Sequence, residues 1–337
     1  MRFFSDNTAT ACPEVLEALM RVNRGRVKAY GDDEWTRSLD RVLGEYFGRD
    51  VRAFAVVTGT AANSLSIATL SPPYGAIYAH EDAHIVRDEC GAPEFFSGGA
   101  RLVLVPGPNG KIEPESLQSA LDGHTNSVHS VQPAAVSLTQ ATEVGTTYRP
   151  EQVAELTEIA RRHKLKVHMD GARFANAVTF LGCAPADVTW RAGVDVLSFG
   201  ATKNGALAAE AVVFFDLSLV QDFELRRKRA GHLISKSRYV SAQLIAYLES
   251  GAWQRNATRA NTLARKIGLA AGSSLMYPVE ANEVFLRLGN ARKQKLRAAG
   301  FEFYDWGNER SGEIRLVVSW DQPEDEVGAL CRALSPP

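Results

Sequence analysis

Two short apolar runs, about thirty residues apart, each end on a reactive side chain, and together they constrain this chain more than any other feature. Lys166 to Met169 leads into Asp170 within KVHMDGAR, and Val194 to Phe199 leads to Lys203 within VDVLSFGATKNG. Short apolar runs bounded by turn residues read as buried strands. Similar runs lie at Ala53 to Thr58, Ala76 to Ala79, Arg101 to Val105 and Ala134 to Leu138. Helical patterns alternate with them at Pro13 to Val22, Arg37 to Phe47, Ala61 to Leu70, from His84 onward, and at Pro150 to His163. This rhythm predicts βαβ units and an α/β fold with a mainly parallel sheet. Val212 to Phe215 reads as a further strand, antiparallel because only a short polar turn precedes it.

From about Leu217 the pattern turns helix-rich, with Tyr239 to Glu249 and Trp253 to Ile267 as long helices. Glu283 to Leu288 and Ile314 to Ser319 then read as strands around a helical Ala291 to Ala299. The reading is a large domain with an N-terminal arm over 1–245 and a small α+β domain over 246–337. Neither a repeat nor a low-complexity linker separates them, so they are expected to pack together.

The 337 residues are 45% hydrophobic, enough for a sizeable core. Thirty-eight basic residues against 39 acidic ones leave no footprint for nucleic acid. The run Arg226 to Arg229 would point its side chains in different directions on a helix, which suits a solvated face or a single phosphate contact. Cys12, Cys90, Cys183 and Cys331 form no CxxC pair, which argues against structural zinc and a disulfide framework and for a reducing compartment. No metal site is expected. The segment MRFFSDNTAT lacks an apolar signal core, and no apolar run reaches the length of a membrane span, so a cytoplasmic protein with no membrane partner is expected.

Most lysines after a strand are solvated surface residues, but one paired with an aspartate at another strand end suits an aldehyde cofactor. Pyridoxal phosphate needs a lysine amine for its aldehyde and a carboxylate for its pyridine nitrogen. A third anchor is Thr58-Gly59-Thr60-Ala61-Ala62-Asn63, where a strand turns into a helix and free backbone N–H groups can receive a phosphate. The motif is neither a Walker loop nor GxGxxG.

With these residues in view, the chain resembles the low-specificity L-threonine aldolases of the aspartate-aminotransferase superfamily, fold type I, over nearly its whole length. The resemblance rests on Ser5 to Thr10, Tyr30 to Asp33, Thr58 to Asn63, His84 to Ala92, Asp170 to Arg173 and Glu313 to Leu316. It implies a seven-stranded, mainly parallel sheet in the large domain. It implies that Lys203 forms the Schiff base, that Asp170 pairs with the pyridinium, and that His84 lies against the ring. Gly59, Thr60 and Thr202 would hold the phosphate, with Arg238 adding charge from a neighbouring subunit. Ser5, Arg173 and Arg315 match the positions that bind the substrate carboxylate; guanidinium groups suit its planar, bidentate recognition. An arginine inside an apolar strand, as Arg315 is, also demands a carboxylate partner of its own.

The implied reaction is Cα–Cβ scission of a β-hydroxy-α-amino acid to glycine and an aldehyde. His84 is the first candidate for the base that takes the β-hydroxyl proton, and His129, eight residues before Ser137, the second, with His124 close by. A homodimer or homotetramer with interfacial active sites is also implied.

Two segments depart from the family pattern. Gly231 to Arg238 lacks a triple-glycine turn, which raises Lys236 or Lys228 as substitutes for Arg238. Thr139 to Glu143 reads TQATE where ENTHN is usual, a change that could favour an aromatic β-substituent. A phenylserine aldolase or a β-eliminating lyase on the same scaffold is the alternative. A binding or regulatory protein that has lost the chemistry is disfavoured by the retained Lys203, Asp170 and both arginines.

Overall fold

Strand residues sort by parity into two buried layers, because successive side chains of a strand point to opposite faces. Ala53 and Ala55 join one cluster with Tyr78, Leu138, Met169 and Phe199, while Phe54 and Val56 join another with Ile77, Ala135, Val196 and Phe214. A sheet apolar on both faces is the signature of helices on both sides. The computed structural model describes residues 1–125, 127–308 and 310–335.

The strands of this sheet are β1 (Arg52–Val56), β2 (Gly75–His80), β3 (Arg101–Val105), β4 (Gln132–Thr139), β5 (Lys166–Gly171), β6 (Val196–Gly200) and β7 (Glu210–Phe214). They lie in the order β1-β7-β6-β5-β4-β2-β3. β7 runs antiparallel to both neighbours, as its short connection to β6 requires, and the remaining pairs are parallel. The C-terminal ends of β1, β2, β4, β5 and β6 therefore share one edge with the start of β7.

Helices α1 (Pro13–Val22), α2 (Glu34–Phe47), α3 (Gly59–Leu70), α4 (His84–Arg87), α5 (Ala92–Ser97), α6 (Pro114–Asp122), α7 (Pro150–Arg162), α8 (Phe174–Leu181), α9 (Phe223–Arg229) and α10 (Arg238–Glu249) surround the sheet. α2 starts three residues earlier than its apolar pattern predicts, because Asp33 Oδ1 accepts from the Thr36 N–H at 2.8 Å and caps it. α3, made of small and apolar residues on all sides, is buried along almost its whole length. The helix expected from His84 onward is broken instead. Cys90 and Gly91 both take positive φ, 52° and 73°, before Pro93 opens α5.

The remaining elements are α11 (Ala252–Ala271), β8 (Glu283–Arg287), α12 (Asn290–Ala298), β9 (Tyr304–Trp306), β10 (Glu313–Val317) and α13 (Glu324–Leu334). An antiparallel sheet β8-β10-β9 shares a separate core with α11 and α13. α11 straddles the two cores: Ala252 packs into the large one and Leu263, Ala264 and Ile267 into the small one. The arm, read from sequence with the large domain, instead inserts Phe3 into the small core. There the Phe3 N–H donates to Glu302 O at 2.8 Å and Phe3 O accepts from the Val317 N–H at 3.0 Å.

Candidate active site

In open parallel sheets the crevice beyond the C-terminal strand ends is where ligands bind. Here that edge holds a cleft of about 220 Å³, lined among others by Asn7, Gly59, Thr60, Asn63, His84, Glu89, Asp170, Thr202, Lys203 and Glu210. Asp170 and Lys203 enter it from adjacent strands. Asp170 is the penultimate residue of β5, and Lys203 sits in a 3-10 turn, Thr202–Asn204, directly after β6. The two chains are held very close. A Cβ at Gly200 would lie 2.5 Å from Ala172 O and 2.7 Å from Ala172 Cα, so only glycine lets β6 finish beside the turn that follows Asp170.

Asp170 is buried and held by two donors, the Ala172 N–H to Oδ1 at 3.0 Å and Asn63 Nδ2 to Oδ2 at 2.8 Å. The same Asn63 nitrogen donates to Glu89 Oε1 at 2.8 Å, and Glu89 Oε1 lies 3.0 Å from His84 Nδ1. Four side chains from α3, β5 and the α4–α5 segment thus form one chain, His84–Glu89–Asn63–Asp170. The hydrogen bond to Glu89 raises the His84 pKa above the ordinary imidazole value against the opposing effect of burial, and burial raises that of Glu89. Behind Asp170 on β5, His168 bridges Ser137 Oγ of β4 and Ser198 Oγ of β6, each at 2.9 Å; burial pushes it down to about 4 and keeps it neutral.

The anion end is built by α3. Thr58 Oγ1 caps it by accepting from the Ala61 N–H at 3.1 Å, and the first-turn N–H groups of a helix have no partners within it. A Cβ at Gly59 would meet nothing within 4 Å, so the approach is open. Thr202 Oγ1 accepts from the Ala209 N–H at 3.1 Å. Glu210 Oε2 accepts from the Ala201 N–H at 3.0 Å, and burial pushes its carboxyl up to about 7 despite that bond and one from Thr202. No hydrogen bond or ion pair ties the Lys203 amine among the described residues. An unattached amine, a fixed carboxylate beside it, an imidazole and an anion-receiving helix start fit pyridoxal phosphate.

Arg173 and Arg315 are both occupied by the chain's own carboxylates. Arg173, 4% exposed, donates from Nε and Nη2 to Asp6 at 2.7 and 2.9 Å and faces Glu283 Oε2 from Nη1 at 3.3 Å. Arg315 donates from Nε and Nη2 to Glu283 Oε1 at 3.2 and 2.7 Å; this is the carboxylate its place in an apolar strand demanded. Although burial alone would raise the Asp6 pKa, Arg173 and Lys203 bring it down to about 2. Ser5 caps the turn Asp6–Thr8 by accepting from the Asn7 N–H at 3.1 Å, and its neighbour Asn7, rather than Ser5, lines the cleft.

Four sequence candidates, His129, His124, Arg238 and Lys228, are not brought to this site. His129 lies on an exposed turn before β4 begins at Gln132, at the opposite edge of the sheet from Asp170, and His124 is on the same connection. Arg238 opens α10 outside the cleft lining, stacked over the Tyr239 ring at 5.1 Å, and Lys228 lies over the Tyr30 ring at 4.7 Å. Conversely, Asn63 and Glu89 are unassigned by sequence reasoning although their motifs stand out. The signal for Asn63 is an amide inside an otherwise small and apolar helix. Asp6 also lies in a quoted motif, Ser5 to Thr10, without a role assigned to it, and Glu283 carries no local signal.

Residues 2–291 match the family of beta-eliminating lyases. The chain is 45% identical over 335 residues to a low specificity L-threonine aldolase of Pseudomonas aeruginosa, covering 98% of this chain and 96% of that one. A Pseudomonas enzyme of the same description is 43% identical, covering 98% and 95%. A solved Leishmania major threonine aldolase superposes with a TM-score of 0.92 at 26% identity, covering 99% of this chain and 98% of that one.

Proposed function

Because this chain belongs to the beta-eliminating lyase family, among its low-specificity L-threonine aldolases, we propose that it cleaves L-threonine and L-allo-threonine between Cα and Cβ to glycine and an aldehyde. It is a pyridoxal phosphate-dependent carbon–carbon lyase. The observation that carries the reading is the convergence of Lys203, Asp170 and His84 on one cleft at the C-terminal strand edge.

When bound, pyridoxal phosphate supplies an electron sink for the pair left on Cα as the Cα–Cβ bond breaks. Lys203 would hold it through the amine, Asp170 would pair with its ring nitrogen, and the Gly59–Thr60 helix start with Thr202 would receive its phosphate. Arg315, less buried than Arg173, takes the substrate carboxylate, while Arg173 is braced from behind by Asp6 and Glu283. Fixing that carboxylate fixes which Cα bond lies across the ring. His84 accepts the β-hydroxyl proton; the oxygen's electrons form the aldehyde C=O, the Cα–Cβ pair stays with Cα, and a returned proton completes glycine.

The proposal extends to a cytoplasmic homodimer or homotetramer without a nucleic-acid or membrane partner. Its support is the exposed apolar pair Phe95 and Leu225, 77% and 70% exposed, on neighbouring helices suited to a subunit contact. Among the described residues no helix is long and apolar enough to cross a membrane.

The test incubates the purified protein with L-threonine, L-allo-threonine and phenylserine and measures glycine and aldehyde. Ammonia and a keto acid in their place would overturn the aldolase reading in favour of β-elimination. Lys203→Ala is expected to lose both cleavage and the visible absorption of the cofactor-loaded protein.

A further inference from the structure

The buried carboxylate of Glu89 has a geometry that structural support alone does not require. Its side chain is fully buried, and Oε1 sits between two groups, Asn63 Nδ2 at 2.8 Å and His84 Nδ1 at 3.0 Å. An amide nitrogen can only donate, so Oε1 accepts from Asn63; with the carboxylate ionised, Oε1 has no hydrogen of its own, and the one shared with the imidazole belongs on Nδ1. A neutral imidazole with its proton on Nδ1 has a bare Nε2, the nitrogen that can act as a base. Asn63 is itself pinned to Asp170, so the carboxylate cannot swing away without breaking a bond to the ring-nitrogen partner.

We propose that Glu89 is a positioning residue that selects the Nδ1–H tautomer of His84 and, with Asn63, ties the orientation of that base to Asp170. The arrangement repeats the logic by which a buried carboxylate orients a histidine in hydrolase triads. It rests on the aldolase reading for its purpose, since an oriented base matters only if His84 takes the β-hydroxyl proton, but the tautomer itself is a property of the chain. Other charged groups also face the imidazole: Glu143 from the segment after β4, Asp170 on β5 and Lys203 after β6. The carboxylates favour the imidazolium and Lys203 opposes it, so the test must isolate Glu89.

The experiment labels the full-length chain with nitrogen-15 histidine, assigns His84 by its loss in His84→Asn, and follows its titration in wild type, Glu89→Gln and Glu89→Asp. In Glu89→Gln the His84 midpoint is expected to fall by roughly one pH unit and the Nδ1–H population to drop. Glu89→Asp should retain the tautomer preference with a smaller shift. In the cofactor-loaded enzyme the acid limb of the kcat/KM profile should move to lower pH with the same ordering. An unchanged midpoint and tautomer in Glu89→Gln would overturn the proposal; should that variant fail to fold, an unchanged Glu89→Asp would do so. If wild type cleaves no β-hydroxy-α-amino acid while the titration behaves as described, the functional reading fails and the assignment of Glu89 stands.

Discussion

Arg173 spends three of its nitrogen atoms on Asp6 and Glu283, so at the residue scale the arginines beside the cleft belong to a balanced set of buried charges. Removing one partner of such a set costs far more than the pair contributes, because a charge is left buried alone. Asp6→Asn is expected to lower stability at neutral pH by about 2 to 3 kcal/mol, read by chemical denaturation. The sign follows from the lowered pKa. The carboxylate's contribution is complete above its unfolded value near 4 and is lost as pH falls towards about 2, so the gap between variant and wild type should narrow below about pH 4. That Arg315 needs a carboxylate was legible from its apolar strand, but which one was not: Glu283 and Asp6 reach the arginines from positions far away in sequence. Lys203 and Asp170 were legible because each stands at the end of an apolar run. His129 misled because counting residues back from Ser137 takes no account of the strand direction, which carries the chain away from the site.

At the scale of elements, the site depends on how tightly the ends of β5 and β6 meet. Gly200→Ala would press a methyl group into the Ala172 backbone, which cannot rotate aside as a side chain could. The strands must part, and Lys203 with them. We expect a loss of about 1 to 3 kcal/mol by denaturation, together with weakened pyridoxal phosphate binding in a fluorescence titration; a variant that keeps both would show that the edge can relax. The order of strands and helices was readable from alternating apolar periods, including the antiparallel β7. The break after α4 was not, since the apolar pattern of Ile85 and Val86 does not reveal that Cys90 takes a left-handed backbone, although Gly91 and Pro93 announce a fresh start. Glu89 stands in the short connection between α4 and α5, from which its carboxylate reaches His84.

For the whole molecule, two buried groups on the same sheet titrate in opposition. His168, held near 4, is neutral while the unfolded chain would bind a proton, so its contribution to stability rises with pH from about 4 to about 6.5. Glu210, held up to about 7, stays protonated where the unfolded chain would release its proton, so its contribution falls from about 4.5 to about 7. Between them the slopes offset. Unfolding free energy measured against pH on the cofactor-free chain should therefore tilt downward in His168→Asn and upward in Glu210→Gln, each by about 1.4 kcal/mol per pH unit relative to wild type. Parallel curves for all three would refute these assignments. The arm adds a matter of timing. Phe3 bonds to Glu302 and Val317, Asp6 to Arg173 and Asn282, and Thr10 to Asp321. Synthesis makes this arm ahead of all of these partners, most of which emerge some three hundred residues later. The buried charge set of Asp6, Arg173 and Glu283 consequently cannot be complete until the small domain has emerged, whereas every strand of the large sheet is already made by Phe214.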